Sequence, residues 1–533
     1  MHLSKSRRAF LSFAVLLVIP AWFGLAPAAF QPALPPLPAQ QPGVLPTATQ
    51  PAQTLAPPQE ELIVEKDAAA EVSDAEDTIS EDGRHVAWRT RQGGKWVVMT
   101  DGRADTPAFD EVRDITFSPD GLRVAYRGKR GGKWVAVLDG EGQSSSYDEI
   151  RAWRFSSDSK HLAFAAKREG KWRLVLDAAE RWGPYEDLRG GRFSRDGARF
   201  EVIAKKGKKW LLLSDGKEGP EYQDLALVLY GAGERRMAHV AQRDGHYFVV
   251  LDGQEGPSFD IIGGPTFSLD GTRFAYSGVQ LDGNKGKGQV IVDGQEGQLY
   301  KGGDPKMLAG SLTTLLPGCF PVLWADWHGV SEPLFSLLGG RVAYAARRAK
   351  NDFVAVIDGQ EGPSVEAILL APRFSDDGEH VAYVVKDKGT LATIVDGKRV
   401  GEYSAEGVDA AEHLTWDSDG RHVAMVGVWG GTGYDQGRTP RARRRVFLDG
   451  RPGAEYNSDF ISNLRFSGTG RRFAYVVHHG GEGDVDFVVI DGAESKRYEG
   501  VWGRFLKFDG ESALTWIARA GRKFLRVRQP LGE

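Results

Sequence analysis

The chain has 533 residues, several times the usual length of one domain, which predicts several domains or a long array of repeats. Apolar residues make up 41% and charged residues 26%, values typical of a protein with a substantial core. The 68 basic and 72 acidic residues give a net charge of -4, which argues against a dedicated nucleic-acid-binding protein. The single cysteine excludes an intrachain disulfide and a cysteine-rich zinc site.

Residues 1–29 have the layout of an export signal peptide. Basic residues are followed by an apolar stretch from Ala9, and the small residues from Ala26 to Ala29 provide a cleavage site. The run from Ser6 to Leu11 resembles the bacterial twin-arginine signal, which implies export of a folded protein. The alternatives are a general secretory signal and an uncleaved anchor. We expect a periplasmic or secreted protein that contacts a membrane only if this segment is retained.

Residues 30–78 have a composition that opposes folding. Pro, Ala and Gln dominate first, and acidic residues then cluster between Glu60 and Asp77. Such a stretch has too few large apolar side chains to offset the entropy lost on ordering, and proline favours extended geometry. We therefore expect a disordered tether over this range.

The rest of the chain repeats with a period of about 38 residues. In each unit an anchor residue is followed seven residues later by a strand such as Val124–Tyr126, with a Ser-Pro-Asp-Gly turn between them at 118–121. A second strand begins at Trp134 and ends in the Asp139-Gly140 turn. The anchors are Ile79, Phe117, Phe155, Phe193, Tyr230, Phe267, Phe335, Phe374, Trp416 and Phe466, and a degenerate eleventh copy covers Leu506 to Trp516.

Each unit has room for four short strands, as in the blade of a β-propeller. The runs 134–138 and 248–251 are continuously apolar, which is typical of strands that are buried on both faces. We expect an all-β fold, a β-propeller built from about eleven four-stranded repeats.

The repeat resembles a known family. Phe117-Ser118-Pro119-Asp120-Gly121 and the strand that follows are similar to the TolB-type, WD-repeat-like β-propeller repeat, and the resemblance extends from about residue 79 to residue 530. It implies a propeller fold. Repeats of this family occur in periplasmic partner-binding proteins and in accessory domains of enzymes, so the resemblance implies no single function.

Eleven units exceed the four to eight blades of most propellers. The longest gap between anchors, 68 residues, separates Phe267 from Phe335. We therefore expect two rings in tandem, with the first propeller over residues 79–300, an apolar insertion or inter-ring linker over 301–334 and the second propeller over 335–533. One large ring is the alternative.

Two residue types recur in the units. We expect the cation that precedes the first strand of ten units to pair with a nearby carboxylate from the third strands, such as Asp110, Asp148, Glu186, Asp224, Asp260 or Glu366, rather than to bind anions. We expect the recurring tryptophans to pack between blades rather than to stack on a ligand. The cations are His85, Arg123, His161, Arg199, Arg236, Arg273, Arg341, His380, His422 and Arg472, and the tryptophans are Trp96, Trp134, Trp172 and Trp210.

The insertion from Gly427 to Arg445 is the candidate binding loop. It carries five arginines, which suit an anionic glycan, a phosphate or an acidic partner; a solvated hairpin tip is the alternative. These arginines are Arg438, Arg441, Arg443, Arg444 and Arg445.

The chain contains no nucleophile elbow, no phosphate-binding glycine-rich loop with Lys and no zinc-binding helix motif. We therefore expect no catalytic residue, metal or cofactor, and no nucleic-acid partner. The predicted function is that of an exported, non-enzymatic propeller scaffold that binds a protein or an envelope polymer through its loops. The alternative is an extracytoplasmic hydrolase or lyase with its active site in a propeller cleft.

Overall fold

Short antiparallel strands are the dominant element of the described chain. The computed structural model describes residues 55–65, 78–105, 108–142, 145–282, 285–302, 329–404, 408–429, 442–478 and 485–532. These residues form eleven sheets, ten of four strands and one of five. The all-β propeller of about eleven four-stranded repeats is thereby confirmed. The signal-like segment of residues 1–29 and most of the insertion within 301–334 lie outside the described residues.

In sheets 1 to 4 the strands pair in chain order, so that each strand forms a hairpin with the next. A strand that precedes them, β1 (Gln59–Glu65), belongs to sheet 11. Sheet 1 contains β2 (Thr78–Ile79), β3 (Val86–Gln92), β4 (Lys95–Thr100) and β5 (Arg103–Ala104); sheet 2 contains β6 (Glu111–Phe117), β7 (Val124–Arg130), β8 (Lys133–Leu138) and β9 (Glu141–Gly142); sheet 3 contains β10 (Glu149–Phe155), β11 (Leu162–Arg168), β12 (Lys171–Leu176) and β13 (Ala179–Tyr185); sheet 4 contains β14 (Asp187–Phe193), β15 (Phe200–Lys206), β16 (Lys209–Ser214) and β17 (Lys217–Glu218).

Sheets 5 to 8 repeat this order, and sheet 6 has a fifth strand that pairs with its third. One short 3-10 turn, Ala232–Glu234, replaces the Asp-Gly turn of sheet 5. Sheet 5 contains β18 (Asp224–Tyr230), β19 (Met237–Arg243), β20 (His246–Leu251) and β21 (Gln254–Phe259); sheet 6 contains β22 (Ile261–Phe267), β23 (Phe274–Asp282), β24 (Lys285–Val292), β25 (Gln295–Glu296) and β26 (Tyr300–Lys301); sheet 7 contains β27 (Leu334–Phe335), β28 (Val342–Ala349), β29 (Asp352–Ile357) and β30 (Gln360–Glu361); sheet 8 contains β31 (Ala367–Phe374), β32 (Val381–Asp387), β33 (Thr390–Val395) and β34 (Lys398–Ser404).

Sheets 9 to 11 complete the series, and sheet 11 combines strands from both ends of the described chain. Sheet 9 contains β35 (Val408–Trp416), β36 (Val423–Trp429), β37 (Ala442–Leu448) and β38 (Arg451–Ser458); sheet 10 contains β39 (Phe460–Phe466), β40 (Phe473–His478), β41 (Phe487–Ile490) and β42 (Ala493–Glu494); sheet 11 contains β43 (Gly500–Asp509), β44 (Ala513–Ala520), β45 (Lys523–Pro530) and, as its fourth strand, β1.

Neighbouring sheets pack face to face around a single ring. The apolar clusters join each sheet to the next, and this succession continues from sheet 6 to sheet 7, where Val290 packs with Tyr344. It closes from sheet 11 to sheet 1, where Phe524 packs with Val86 and Trp88.

This packing corrects the expected two rings in tandem, because two rings would place sheet 6 against sheet 1 and sheet 7 against sheet 11. The alternative of one large ring is what the structure shows. The long gap between Phe267 and Phe335 does not interrupt the packing of sheet 6 on sheet 7. A long connection between two blades is therefore compatible with continuous packing of those blades.

The ring closes through β1, which pairs antiparallel with β45 from Gln59 opposite Arg528 to Glu65 opposite Lys523. The Oε1 atom of Glu60 accepts hydrogen bonds from the Tyr498 hydroxyl and from Lys496 Nζ, each over 2.8 Å. The prediction of a disordered tether over residues 30–78 is wrong for residues 59–65, because they form β1. Its apolar residues are few, but Val64 is buried between sheets 11 and 1.

The first strands of successive sheets contact each other, as β10 and β14 or β39 and β43 do, so these strands line the axis of the ring. Most of them contain a bulge, at which the pairing with the second strand skips two residues. At the bulge Asp114, Ala152, Leu227 and Asn463 have φ values of 56°, 56°, 51° and 54°. The bulge twists the strand and directs these side chains differently from those of a regular strand.

Candidate functional site

One face of the ring holds the lengthened connections between strands. Each sheet has hairpin turns at both ends, and the turns between second and third strands lie at the same end as the connections to the next sheet. We call this end the insertion face. The lengthened connections follow Asp282, Gly302, Trp429 and His478, and all four leave the sheets at this face.

The five predicted binding arginines divide into two groups. Arg438 and Arg441 lie outside the described residues, whereas Arg443, Arg444 and Arg445 belong to β37. Arg444 is buried, with its Nε atom 3.2 Å from Glu412 and its Nη1 atom donating to the Ser458 carbonyl over 2.5 Å.

Arg443 and Arg445 share one carboxylate. Arg445 donates to the Tyr403 hydroxyl over 2.6 Å and to Glu455 over 3.1 Å. Arg443 is exposed and lies 3.7 Å from Glu455. Of the three described arginines, Arg443 is therefore the one placed to meet a partner.

The ten recurring cations pair with carboxylates, as predicted, but not with those of the third-strand region that the sequence suggested. Nine of them, all within the described chain, contact the aspartate of the turn that follows their sheet's third strand; for example, His161 Nδ1 lies 2.6 Å from Asp177 Oδ2. The tenth, Arg199, contacts Glu234 over 3.3 Å. Three of the suggested acids pair with lysines instead: Asp110 with Lys95, Asp148 with Lys133 and Glu186 with Lys171.

The recurring tryptophans pack between sheets, as predicted. Trp134, Trp172 and Trp210 are buried in the clusters that join neighbouring sheets. A guanidinium group also covers each ring: the Cζ atom of Arg151 lies 3.7 Å from the Trp172 ring centroid. The Nη2 atom of Arg151 donates to the Leu188 carbonyl of the next sheet over 2.6 Å, so Arg151 holds two blades together.

A cavity of about 440 Å³ opens on the inner strands of sheets 2 and 3. Its walls combine cationic, aromatic and aliphatic side chains. The lining residues are Asp114, Ile115, Thr116, Arg127, Ile150, Arg151, Ala152, Trp153 and Arg154.

Most charges in the cavity wall are paired within the protein. Arg127 forms an ion pair with Asp114, and Arg151 forms one with Asp187 of the next sheet. Arg154 is exposed, and its guanidinium donates to the Trp153 carbonyl over 3.0 Å rather than to a carboxylate. The buried Nε1 atom of Trp153 has no hydrogen-bond partner among the described residues. The cavity therefore offers the guanidinium group of Arg154 to a ligand.

Sequence reasoning missed a hydrogen-bonded chain of three residues in sheet 10. The Nε2 atom of His478 lies 2.8 Å from Ser462 Oγ, and its Nδ1 atom lies 2.9 Å from Asp486 Oδ2. Asp486 also accepts the Val501 N–H over 2.9 Å. Aligning sheet 10 with the other units would have pointed to the site, because His478 and Asp486 occupy positions at which the other described units have neither His nor Asp.

No group of three or more His, Cys, Asp and Glu residues in the described chain is arranged to hold a metal ion. Among the same residues, no helix has the length and apolar character needed to cross a membrane.

No protein-family model matches the chain, and no curated protein matches it. Similar solved structures include a eukaryotic initiation factor (12% identity over 78% of this chain and 96% of that one, TM-score 0.36) and TolB from Acinetobacter baumannii (17% identity over 40% and 65%, TM-score 0.23). An oligogalacturonate lyase in complex with manganese is similar over 91% of this chain and 99% of its own, with 11% identity and a TM-score of 0.28. At these levels of similarity the neighbours' activities are not transferred to this chain.

Proposed function

We propose that the protein is an extracytoplasmic binding scaffold that holds an acidic segment of a partner protein or an anionic envelope polymer. The observation that carries this proposal is the cavity on sheets 2 and 3, where Arg154 has no carboxylate partner among the described residues. A cation in a partly enclosed site attracts anions more strongly than one on an open surface, because the walls exclude part of the screening water.

Aromatic and aliphatic neighbours support a ligand that is more than a simple ion. Trp153 and Ile115 line the same cavity, so an anionic chain with apolar ring or side-chain surfaces has groups to pack against. The proposed extracytoplasmic location derives from the signal-like segment of residues 1–29.

The proposal is tested by measuring the binding of polyglutamate and of polygalacturonate to the full chain at two salt concentrations. We expect one of the two polymers to bind, and Arg154→Ala to weaken its binding about tenfold, since a charge-assisted hydrogen bond contributes about 1.5 to 3 kcal/mol. Arg465→Ala is the matched control, because Arg465 occupies the equivalent position of sheet 10 and is also exposed. Equal binding by wild type and Arg154→Ala would refute the cavity as the binding site, and no binding of either polymer would refute the binding function itself.

The predicted binding loop offers a second location for the same function on the insertion face. The structure indicates which arginines to replace: a triple Arg438, Arg441 and Arg443 to alanine variant spares Arg444 and Arg445, which are hydrogen-bonded within sheet 9 and its neighbours. Loss of polymer binding in this variant, with binding retained in Arg154→Ala, would assign the function to the loop.

A further inference from the structure

Ser462, His478 and Asp486 are hydrogen-bonded to one another in sheet 10. Sheets 2 to 4 have other residue types at the three equivalent positions. In sheet 3 the three equivalent residues are Arg151, Lys167 and Trp172, and both cations lie over the indole ring, at 3.7 and 5.6 Å from its centroid. Sheet 4 repeats this stack with Arg189, Lys205 and Trp210. Asp486 is equivalent to the tryptophan, since it makes the same isolated bridge to Tyr498 that Trp134 makes to Tyr147.

Packing does not explain the exchange in sheet 10. Asp486 is 4% exposed and His478 is 8% exposed, so sheet 10 buries an acid and an imidazole where sheets 3 and 4 bury an aromatic ring. Burying a carboxylate costs free energy even when it is hydrogen-bonded, and the stack of sheets 3 and 4 avoids that cost. Departures of this kind from the rules of a scaffold are expected at functional sites.

The three residues have the order and atoms needed to activate a hydroxyl group. Asp486 is the acceptor at His478 Nδ1, and the hydrogen bond from the Val501 N–H holds this carboxylate in place. The neutral imidazole therefore carries its proton on Nδ1. Nε2 is then the acceptor that faces Ser462 Oγ at 2.8 Å, within the range for proton transfer. Ser462 is half-buried and belongs to β39, the strand of sheet 10 that lines the axis of the ring.

Two neighbours complete a site for an acyl group. The Nδ2 atom of Asn463 lies 2.7 Å from Ser462 Oγ, and the left-handed backbone at Asn463 (φ 54°) belongs to the bulge. A Cβ atom on Gly503 would lie 2.1 Å from Asn463 Nδ2, so the glycine makes room for this amide. On the other side, Phe460 stacks on His478 with ring centroids 4.1 Å apart and remains 44% exposed, which provides an apolar surface beside the serine.

We propose that Ser462 is a catalytic nucleophile that hydrolyses carboxylic esters with apolar acyl groups, with His478 as its general base and Asp486 as the residue that orients His478. This activity goes beyond the binding function and departs from the non-enzymatic function expected from the sequence.

The reaction proceeds in two balanced steps. Ser462 Oγ bonds to the ester carbonyl carbon and transfers its proton to His478 Nε2; the bond to the alkoxy oxygen then breaks, and His478 returns the proton to the departing alcohol. Water next attacks the acyl-serine and gives one proton to His478, which passes it to Ser462 Oγ as the acid leaves. One ester and one water become one acid and one alcohol.

Asn463 has the donor needed for the oxygen that becomes negatively charged. Its Nδ2 group already lies within hydrogen-bonding distance of the nucleophile, and an ester carbonyl oxygen bound beside Ser462 would accept from it in place of Oγ. Phe460 would contact the acyl chain, which is why we infer an apolar acyl group.

The test is reaction of the purified full chain with a fluorophosphonate probe, followed by peptide mapping, and hydrolysis of p-nitrophenyl butyrate. We expect labelling of Ser462 and ester hydrolysis above the rate with buffer alone. Ser462→Ala should abolish the labelling and lower hydrolysis by about a thousandfold or more, and Asn463→Ala should lower hydrolysis by about a hundredfold.

Ser331→Ala is the matched control. Ser331 occupies the equivalent position of sheet 7, but its hydroxyl donates to the Glu332 carbonyl and accepts the Ala345 N–H. This variant should react like wild type. Absence of labelling and hydrolysis in the wild type, or equal activity in Ser462→Ala, would overturn the proposal. Because Ser462→Ala removes one oxygen atom, thermal unfolding should confirm that it folds, and binding of polymer at Arg154 should be unaffected by it.

Discussion

Arg123 Nε donates a hydrogen bond to Asp139 Oδ2 over 3.0 Å, and this pair shows how the repeat is held together. The Oδ1 atom of the same aspartate accepts the Val124 N–H over 2.9 Å, so one carboxylate joins the start of the second strand to the end of the third. Arg123 also donates to the Lys160 carbonyl of the next sheet over 3.3 Å. The Asp-Gly turn is therefore both the end of a hairpin and a contact between blades.

Replacement of Asp139 should destabilise the ring measurably. Asp139 and Gly140 have φ values of 53° and 78°, as in the tight hairpin turns that favour Asn or Asp followed by Gly. In Asp139→Ala the Val124 N–H loses its acceptor and alanine must adopt a left-handed backbone, so we expect a loss of about 1 to 3 kcal/mol in urea unfolding. Asp139→Asn retains an acceptor and a residue that tolerates this backbone, and should lose less. Equal losses in both variants would contradict this account.

His239 should make stability depend on acidity. Burial lowers the pKa of His239 to about 4, and neither ring nitrogen has a hydrogen-bond partner among the described residues. The unfolded chain binds a proton near pH 6.5 and the folded chain resists it, so the free energy of unfolding should fall as the pH falls from about 6.5 to 4, by up to about 3 kcal/mol.

His239→Phe tests this effect, because Phe164 occupies the equivalent position of sheet 3. The free energy of unfolding of wild type and variant should be compared by urea titration between pH 7.5 and 4. In the variant, the free energy of unfolding should not show the decrease assigned to His239. The pH dependence that the carboxylates contribute should remain. Identical pH profiles would rule out His239 as the source.

His422 should make stability fall as the pH rises, the opposite of the effect of His239. The hydrogen bond to Asp449, over 2.7 Å, raises the pKa of His422, and the charges of Asp449, Asp417 and Asp419 add to this effect. The stabilisation is complete below the unfolded pKa near 6.5 and is lost as the pH rises through the higher folded pKa. His422→Arg, which places at this position the residue found at Arg123, should keep its stability over that range. A wild-type stability that does not fall there would contradict the prediction.

The contact between sheets 11 and 1 should depend on one face of β1. Val64 is 8% exposed and packs with Ile79 and Phe524, whereas Leu62 on the same strand is 52% exposed. Val64→Asp should lower the free energy of unfolding by about 2 kcal/mol or more, since it places a carboxylate between two sheets. Leu62→Asp is the matched control and should have little effect. Urea unfolding and protease resistance measure both, and equal effects would show that β1 does not close the ring.

The local pattern was enough to predict the strands and turns, because the features that decide them lie within one unit. Phe117 and the 118–121 turn predicted the hairpin of sheet 2, and the apolar run at 134–138 predicted a strand buried on both faces. The number of rings depends on which distant sheets pack together, and no local pattern reports that Phe524 contacts Trp88.

The candidate sites were less accessible to sequence reasoning. Ser462, His478 and Asp486 match no short motif, and a bulge and two strands bring them together. The cavity at Arg154 depends equally on the packing of two inner strands. Five arginines close together in the sequence predicted a binding loop, but two of the three that are described are held by hydrogen bonds within the protein.

Strand β1 is synthesised long before β45, its partner among the described strands, because Glu60 pairs with Val527, 467 positions later. Until β45 has been synthesised, the edge that receives β1 does not exist, and the other ten blades form an open stack with two uncovered apolar faces. Completion of the ring therefore has to await the synthesis of β45 and has a high contact order, and it is the step at which chaperone protection against aggregation would matter most.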